Sequence, residues 1–482
     1  MGKTVAGLAC YISAALLWGV AAAQPAYRDA PIPVVGVKSG IAKTGQPPPR
    51  MNIEMLWWTR DEYWDLYILA LSSLQAVNET DPLSYFAISG IHGIPYSAYD
   101  ALQTPLRVSP RLRLRQQALV AHAVRIAGQY SPNYAPRYKA AAQTLRQPYW
   151  DWASRAKLPT AVTQKYVTVK GPHGLEKVRN PLYSYRFQRP SLVEAFNGHL
   201  ETTRCGGPHG NNATASDESI GRYADELKRQ VHAAFIAPDN FEKMASGFEN
   251  PHNLVHNSAG CEGTIASLSW SAFDPLFMLH HCNVDRFVAL WQALYYNKTM
   301  FTSSSLSSGQ LATPKDTNIT AQSPLKPFFN EKIEFWTSDS VANISAFGYT
   351  YDDIEDYWSM TPEDLSNAVW SLVNRLYDIN SAEQTQRRDT FPPISHPHYQ
   401  PQQHYYTAEV SVERSEIPLP STVELILSGS IVGRMSFLAM PNEGIASSSL
   451  PLRGLIFGNQ TIDAMDPEKA VQFIEQNLTL DQ

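Results

Sequence analysis

Two apolar stretches carry histidines in a pattern that leaves few folds open. The first reads Glu249-Asn-Pro-His252-Asn-Leu-Val-His256-Asn257, and the second runs Asp274-Pro-Leu-Phe-Met-Leu-His280-His281-Cys-Asn-Val-Asp285-Arg286. On a helix, His252 and His256 at i, i+4 leave the same face one turn apart. His281, 25 residues beyond His256, lies in a run that can return antiparallel and complete a three-nitrogen site. Neutral imidazole suits copper, zinc, iron and nickel alike. Adjacent helical side chains diverge by about 100°, so only one of His280 and His281 is expected to face such a site. Among 13 histidines an i, i+4 pair arises easily by chance, so the weight falls on the longer pattern.

At 482 residues the chain exceeds what one hydrophobic core usually holds, and two domains are expected. Apolar residues recur at helical spacing from Met51 to Ala76, Gln116 to Gly128 and Phe277 to Tyr296, and more weakly from Tyr223 to Ala237. These predict a mainly helical domain over 24–380 with the metal site inside a bundle. Residues 381–405, rich in Gln, Pro and His, read as a linker. Beyond them the period switches to two. Ala408, Val410 and Val412 alternate with Glu409, Ser411 and Glu413, and Val423, Leu425 and Leu427 flank Glu424 and Ile426. That alternation predicts a small C-terminal β domain over 406–482.

The first residues carry Lys3, an apolar run from Val5 to Val20 and Ala21-Ala22-Ala23, the order of a cleavable secretory signal over 1–23. An uncleaved anchor is the rival reading, although a span wants about 20 apolar residues. Sequons begin at Asn78, Asn212, Asn297, Asn318, Asn343, Asn459 and Asn477, as expected of a secreted glycoprotein. No later segment looks able to cross a bilayer, and a net charge of −6 without a basic stripe argues against nucleic acid. With Cys10 removed, Cys205, Cys261 and Cys282 allow one disulfide, for instance Cys205–Cys261, and leave one thiol over.

The extended pattern from Glu249 to Asn257 and from Asp274 to Arg286, with Trp291, closely resembles the copper B half of tyrosinases in their fungal form, type-3 copper phenol oxidases. Gly90-Ile-His92-Gly resembles the first copper A histidine segment, and Pro148-Tyr-Trp-Asp-Trp152 the aromatic stretch between the halves. Tyr349-Thr-Tyr351 and Arg50 resemble the family's tyrosine motif and its N-terminal stacking partner. The C-terminal stretch is similar to the β domain that caps fungal members. The resemblance therefore implies a helical-bundle type-3 copper domain followed by a small β-sandwich-like cap. It implies copper as cofactor, with dioxygen and a small phenol as substrates. The reactions would be monophenol to o-diphenol and o-diphenol to o-quinone, as in melanin or phenolic-metabolite formation.

Carried over by resemblance, His252, His256 and His281 would ligate copper B and His92 would belong to copper A, with His280 left to packing. Glu249 and Asn253 match the pair that holds a water to accept the phenol's proton. Glu249 also suits a plain helix N-terminal acid, and both readings stand. Asp285 and Arg286 are expected to orient the helix pair, and Cys282 to be a buried, inert thiol.

The resemblance fails in one place. Between His92 and His122 no histidine occurs, and the family's other two copper A ligands have no counterpart. Arg107, Arg111, Arg113 and Arg115 form a basic patch there instead. His122 falls beyond the missing ligands and reads as a packing or surface residue. Phenol oxidation by this exact chain is therefore in question. The alternative is a non-catalytic secreted glycoprotein, the inactive product of a splice variant or a wrongly joined exon. An oxygen carrier of the hemocyanin kind also needs both coppers. A di-iron bundle would want further Glu-x-x-His pairs, and a zinc hydrolase would want His-Glu-x-x-His. Arg387-Arg388 in the linker is a candidate site for proteolytic removal of the cap.

Overall fold

A computed structural model describes residues 31–93, 109–189, 198–206, 210–236, 240–307, 313–354, 359–379, 406–438, 443–452, 456–457, 460–461 and 465–481. The signal stretch 1–23, the linker 381–405 with Arg387-Arg388, Arg107 and the sequon at Asn459 lie outside these residues. Among the described residues no helix is long and apolar enough to cross a membrane.

The architecture is mainly helical, with a strand-rich C-terminal region. A short strand β1 (Pro49–Arg50) leads into α1 (Ile53–Thr59) and α2 (Glu62–Gln75). The single helix expected from Met51 to Ala76 is thus two. Arg60 turns into the left-handed region at φ 45°, and the Asp61 carboxylate accepts from the amides of Tyr63 and Trp64, which starts a new helix. Next come α3 (Ser109–Ala127), α4 (Ala224–Ile236), α5 (Phe241–Gly260) and α6 (Pro275–Leu294). Strand β2 (Thr350–Tyr351) pairs in parallel with β1, and α7 (Pro362–Tyr377) packs against α4 and α6.

The cap signals written before α6 are obeyed. Asp274 accepts from the Leu276 amide and Pro275 takes the first turn, where its missing N–H costs nothing. Nearly every side chain of α6 is buried, so its histidines cannot be surface residues. Helix α5 begins at Asn240, which caps the Lys243 amide, and carries Pro251 in its interior one residue before His252. Its far end is pinned where Cys205 and Cys261 form a disulfide, the pairing weighed from the sequence. Trp152 packs 5.6 Å from the His280 ring, and the Trp150 amide bonds the Leu279 carbonyl, so the aromatic stretch rests on α6.

A separate, smaller core forms after residue 406. Strands β3 (Thr407–Glu413), β4 (Ser421–Leu427), β5 (Ser430–Phe437), β6 (Ile445–Pro451) and β7 (Leu478–Asp481) make two sheets, ordered β5-β4-β7 and β6-β3. The period-two residues Ala408, Val410, Val423, Leu425 and Leu427 all point into this core. The sequence reading missed one element, an amphipathic helix at Pro467–Asn477 whose Ala470 joins the same core.

This small core leans on α5. Asn250 donates to the Arg434 carbonyl and accepts from the Ser436 amide at 2.7 Å, while Asn253 donates to the Ser436 carbonyl at 3.1 Å. A salt bridge of 3.0 Å joins Arg434 to Glu226 of α4.

Candidate metal centre

Helices α5 and α6 bring four buried histidines together: His252, His256, His280 and His281 each offer a ring nitrogen within 4.8 Å of the others. The Nε2 atoms of His252 and His256 lie 3.4 and 3.2 Å from Nε2 of His281. Two imidazole nitrogens held about 2.0–2.1 Å from one tetrahedral ion sit about 3.3 Å apart, so these separations fit a shared cation.

The outer nitrogens are set for that role. His256 Nδ1 donates to the Ile265 carbonyl at 2.7 Å, and His252 Nδ1 donates to Asn253 Oδ1 at 3.0 Å. Each bond fixes the tautomer that leaves the Nε2 lone pair free for a metal. Burial pushes His252 down to about 4, and burial first, then neighbouring charges, hold His256, His280 and His281 well below the usual histidine range. Neutral imidazoles are the form a metal binds.

The doublet departs from the expectation that only one member reaches the site. The rings of His280 and His281 do diverge, at 72° with centroids 4.9 Å apart. Yet α5 crosses over both: His280 stacks on His252 at 4.9 Å and stands edge-on to His256 at 4.6 Å. Both His280 ring nitrogens and His281 Nδ1 are buried without a hydrogen-bond partner. The doublet itself was legible in the sequence; the crossing of α5 was not.

His92 is not brought into the cluster. Phe277 touches both, its ring edge-on to His92 at 5.1 Å and stacked on His281 at 3.9 Å. Arg111 also packs on Phe277, its guanidinium carbon 4.8 Å from the ring centroid. Burial, then the charge of Arg115, pushes the Arg111 guanidinium down to about 9. Its charge in turn disfavours protonation of His92, His256 and His281. The arginines read as a basic patch are interior: Arg111, Arg113 and Arg115 are only 4%, 1% and 2% exposed. Helix α3 begins at Ser109, earlier than the Gln116 expected, because Leu112 and Leu114 join the core around these arginines.

Glu249 and Asn253 face the C-terminal strands, lining a cavity of about 270 Å³ with Arg414, Ser436 and Phe437. Burial lifts the Glu249 carboxyl to about 7, against the opposing pull of Arg414 and the Asn253 hydrogen bond. Asn253 thereby links His252, Glu249 and β5.

Asp285 and Arg286 do not tie the histidine helices to each other. Asp285 receives Arg50 at 3.1 Å and the hydroxyls of Tyr349 and Tyr351, while Arg286 bonds Tyr377 and bridges Asp353 and Asp151. Arg50 lies 3.7 Å over the Tyr349 ring. These two residues fix α6 to the N-terminal strand and to residues 349–353. Cys282 is a free, buried thiol pushed up to about 12 by burial, and His122 bonds Ser73 at 2.9 Å away from the site.

A helical bundle with a buried multi-histidine centre on two crossing helices is the class this fold and site define, and the centre is compatible with one copper ion. Residues 82–294 match the common central domain of tyrosinase. The chain is 27% identical to a tyrosinase of Neurospora crassa over 73% of its own length and 59% of that protein's. It is 27% identical to polyphenol oxidase 2 of Agaricus bisporus, over 70% and 67% of the two chains. The chain thus spans about three fifths of the Neurospora relative. In fold it matches recombinant mushroom tyrosinase with a TM-score of 0.74, 21% identity, and coverage of 93% of this chain and 91% of that one. The matched domain, the relatives and the shared fold together support a tyrosinase-type protein.

Proposed function

We propose that this chain binds one copper ion through His252, His256 and His281, with His280 beside them, and serves copper-dependent oxidation of phenols with dioxygen. The reactions would be those of the relatives' class, monophenol to o-diphenol and o-diphenol to o-quinone. The observation that carries the reading is the pair of Nε2 separations, 3.2 and 3.4 Å, inside a buried and neutral cluster. Copper, when bound, supplies the redox chemistry that couples dioxygen to the phenol.

The chain's own residues prepare the site. Ile265 and Asn253 hold the tautomers of His256 and His252. A phenol loses its proton near pH 10 in water, so a carboxyl poised near neutrality is a suitable acceptor. Glu249, lifted to about 7, is the residue for this step, and Asn253 positions it. Residues 406–482 act as a cap over the Glu249 side, placing Ser436 and Phe437 on the cavity wall. Cleavage within 381–405 would release them. Entry into the secretory pathway after removal of 1–23 is supported by sequon residues Asn78, Asn212, Asn297, Asn318 and Asn343, all exposed.

A second reading is favoured by His92 and Arg111: a secreted glycoprotein that keeps the fold and has lost the chemistry. One histidine outside the cluster and a buried cation make a poor seat for a second copper. Metal content and turnover separate the two. We expect one copper per chain by elemental analysis, its loss in His256→Ala, and its retention in His92→Ala. Turnover of a catechol by the copper-loaded, cap-cleaved chain supports the enzyme. One bound copper with no turnover supports the glycoprotein, and an unchanged copper content in His256→Ala refutes both assignments of the centre.

A further inference from the structure

Buried guanidinium groups in this molecule normally have their charge answered. Arg50 meets Asp285, Arg204 meets Asp274 at 2.8 Å, and Arg286 meets Asp151 and Asp353. Arg146 instead spends its donors on the carbonyls of Val37, Ser39, Gln143, Leu145 and Gly348. Among the described residues Arg111 has neither solution. Its Nε and Nη2 are enclosed and without a hydrogen-bond partner. The one charge acting strongly on it is another cation, Arg115.

Two features add positive potential at this point. Arg111 is the third residue of a 19-residue helix, in the turn where the helix dipole is positive. Arg115, at i+4, shares its face, lies 4.2 Å over the Tyr85 ring, and leaves its own Nε and Nη1 unpartnered. An uncompensated interior charge is costly, whereas a charge-assisted bond from an enclosed guanidinium to an anion is strong.

We propose that Arg111, with Arg115 at i+4, binds a small monovalent anion at the start of α3, beside Phe277. Two sources share this chemistry: a halide from solution, and the carboxylate of an aromatic acid. The proposal rests on the arginines and the helix alone, so it holds or fails independently of the copper reading.

The test uses the metal-free, full-length protein. Thermal unfolding is followed while chloride or benzoate replaces gluconate at fixed ionic strength. The folding equilibrium is expected to shift about 100-fold toward the native state when the anion stands about 100-fold above its dissociation constant. His256→Ala and Arg125→Gln, which alters an exposed arginine on the same helix, should keep this saturable response. Arg111→Gln should lose it. A response to benzoate alone assigns the site to a carboxylate ligand, and a response to both assigns it to any small anion. Equilibrium dialysis of benzoate against the wild-type chain, expected to give one site per chain, covers the case in which Arg111→Gln does not fold. No saturable response and no bound benzoate in the wild-type protein, or an undiminished response in Arg111→Gln, would overturn the proposal.

Discussion

The two ends of the histidine bundle treat buried arginines in opposite ways. Around α6, Arg50 and Arg286 are locked to aspartates and tyrosine hydroxyls, and Arg204 is locked to the Asp274 that caps the helix. At the start of α3, Arg111 and Arg115 face each other's charge, and Arg113 relies on the Val341 carbonyl and the face of Phe347, 3.6 Å away. The first arrangement positions the histidine helix, since Asp285 and Arg286 lie one turn beyond His281. The second leaves unspent positive charge next to the centre. Burial of a cation is therefore a scaffold in one region and a demand for a partner in the other.

The largest expected effect lies on the paired side. Asp285→Ala strands Arg50 in the interior together with the Tyr349 hydroxyl, and should cost about 3–5 kcal/mol in urea denaturation. A loss below about 1 kcal/mol would mean that the paired arginines are not the scaffold described.

Acid comes next. Each clustered histidine has a folded-state pKa below its unfolded value, so below about pH 6.5 the unfolded chain binds more protons. The stability held by neutral rings is complete above the unfolded pKa and drains as pH falls. For His252 the window runs from 6.5 down to about 4. That single ring accounts for something on the order of 3 kcal/mol, read as stability of the metal-free protein from pH 7 to pH 4. An equal acid slope in His252→Gln would break this account.

The smallest effect, and the one of opposite sign, falls on the unpaired side. Arg111→Met in gluconate buffer should stabilise the fold by about 2 kcal/mol, because it removes a charge whose desolvation nothing repays. Differential denaturation of the variant and the wild type measures it. A destabilised variant would place Arg111 with the paired arginines and erase the contrast.

Much of the site was readable along the chain because it is local. The i, i+4 spacing fixes that His252 and His256 share a face, and Asp274-Pro275 announces where α6 begins. The alternation at Ala408–Val412 and Val423–Leu427 likewise placed the second core. Failures occurred where side-chain competition or packing decides. Asp61 breaks an otherwise continuous apolar helix by capping it. Arg111, Arg113 and Arg115 read as a basic patch because sequence carries no sign of the aromatic faces of Phe277, Phe347 and Tyr85 that receive them. His280 read as packing because its distance from α5 depends on where two helices cross, which no single helix encodes.

By itself, then, the sequence determined the periods, the caps and the histidine-bearing helices, since each follows from backbone geometry over a few residues. Tertiary structure decided that four imidazoles rather than three converge, that His92 stays outside them against Phe277, and that Asn253 ties the centre to β5. Those distances connect residues far apart in the chain, and only the packing of whole elements against one another sets them.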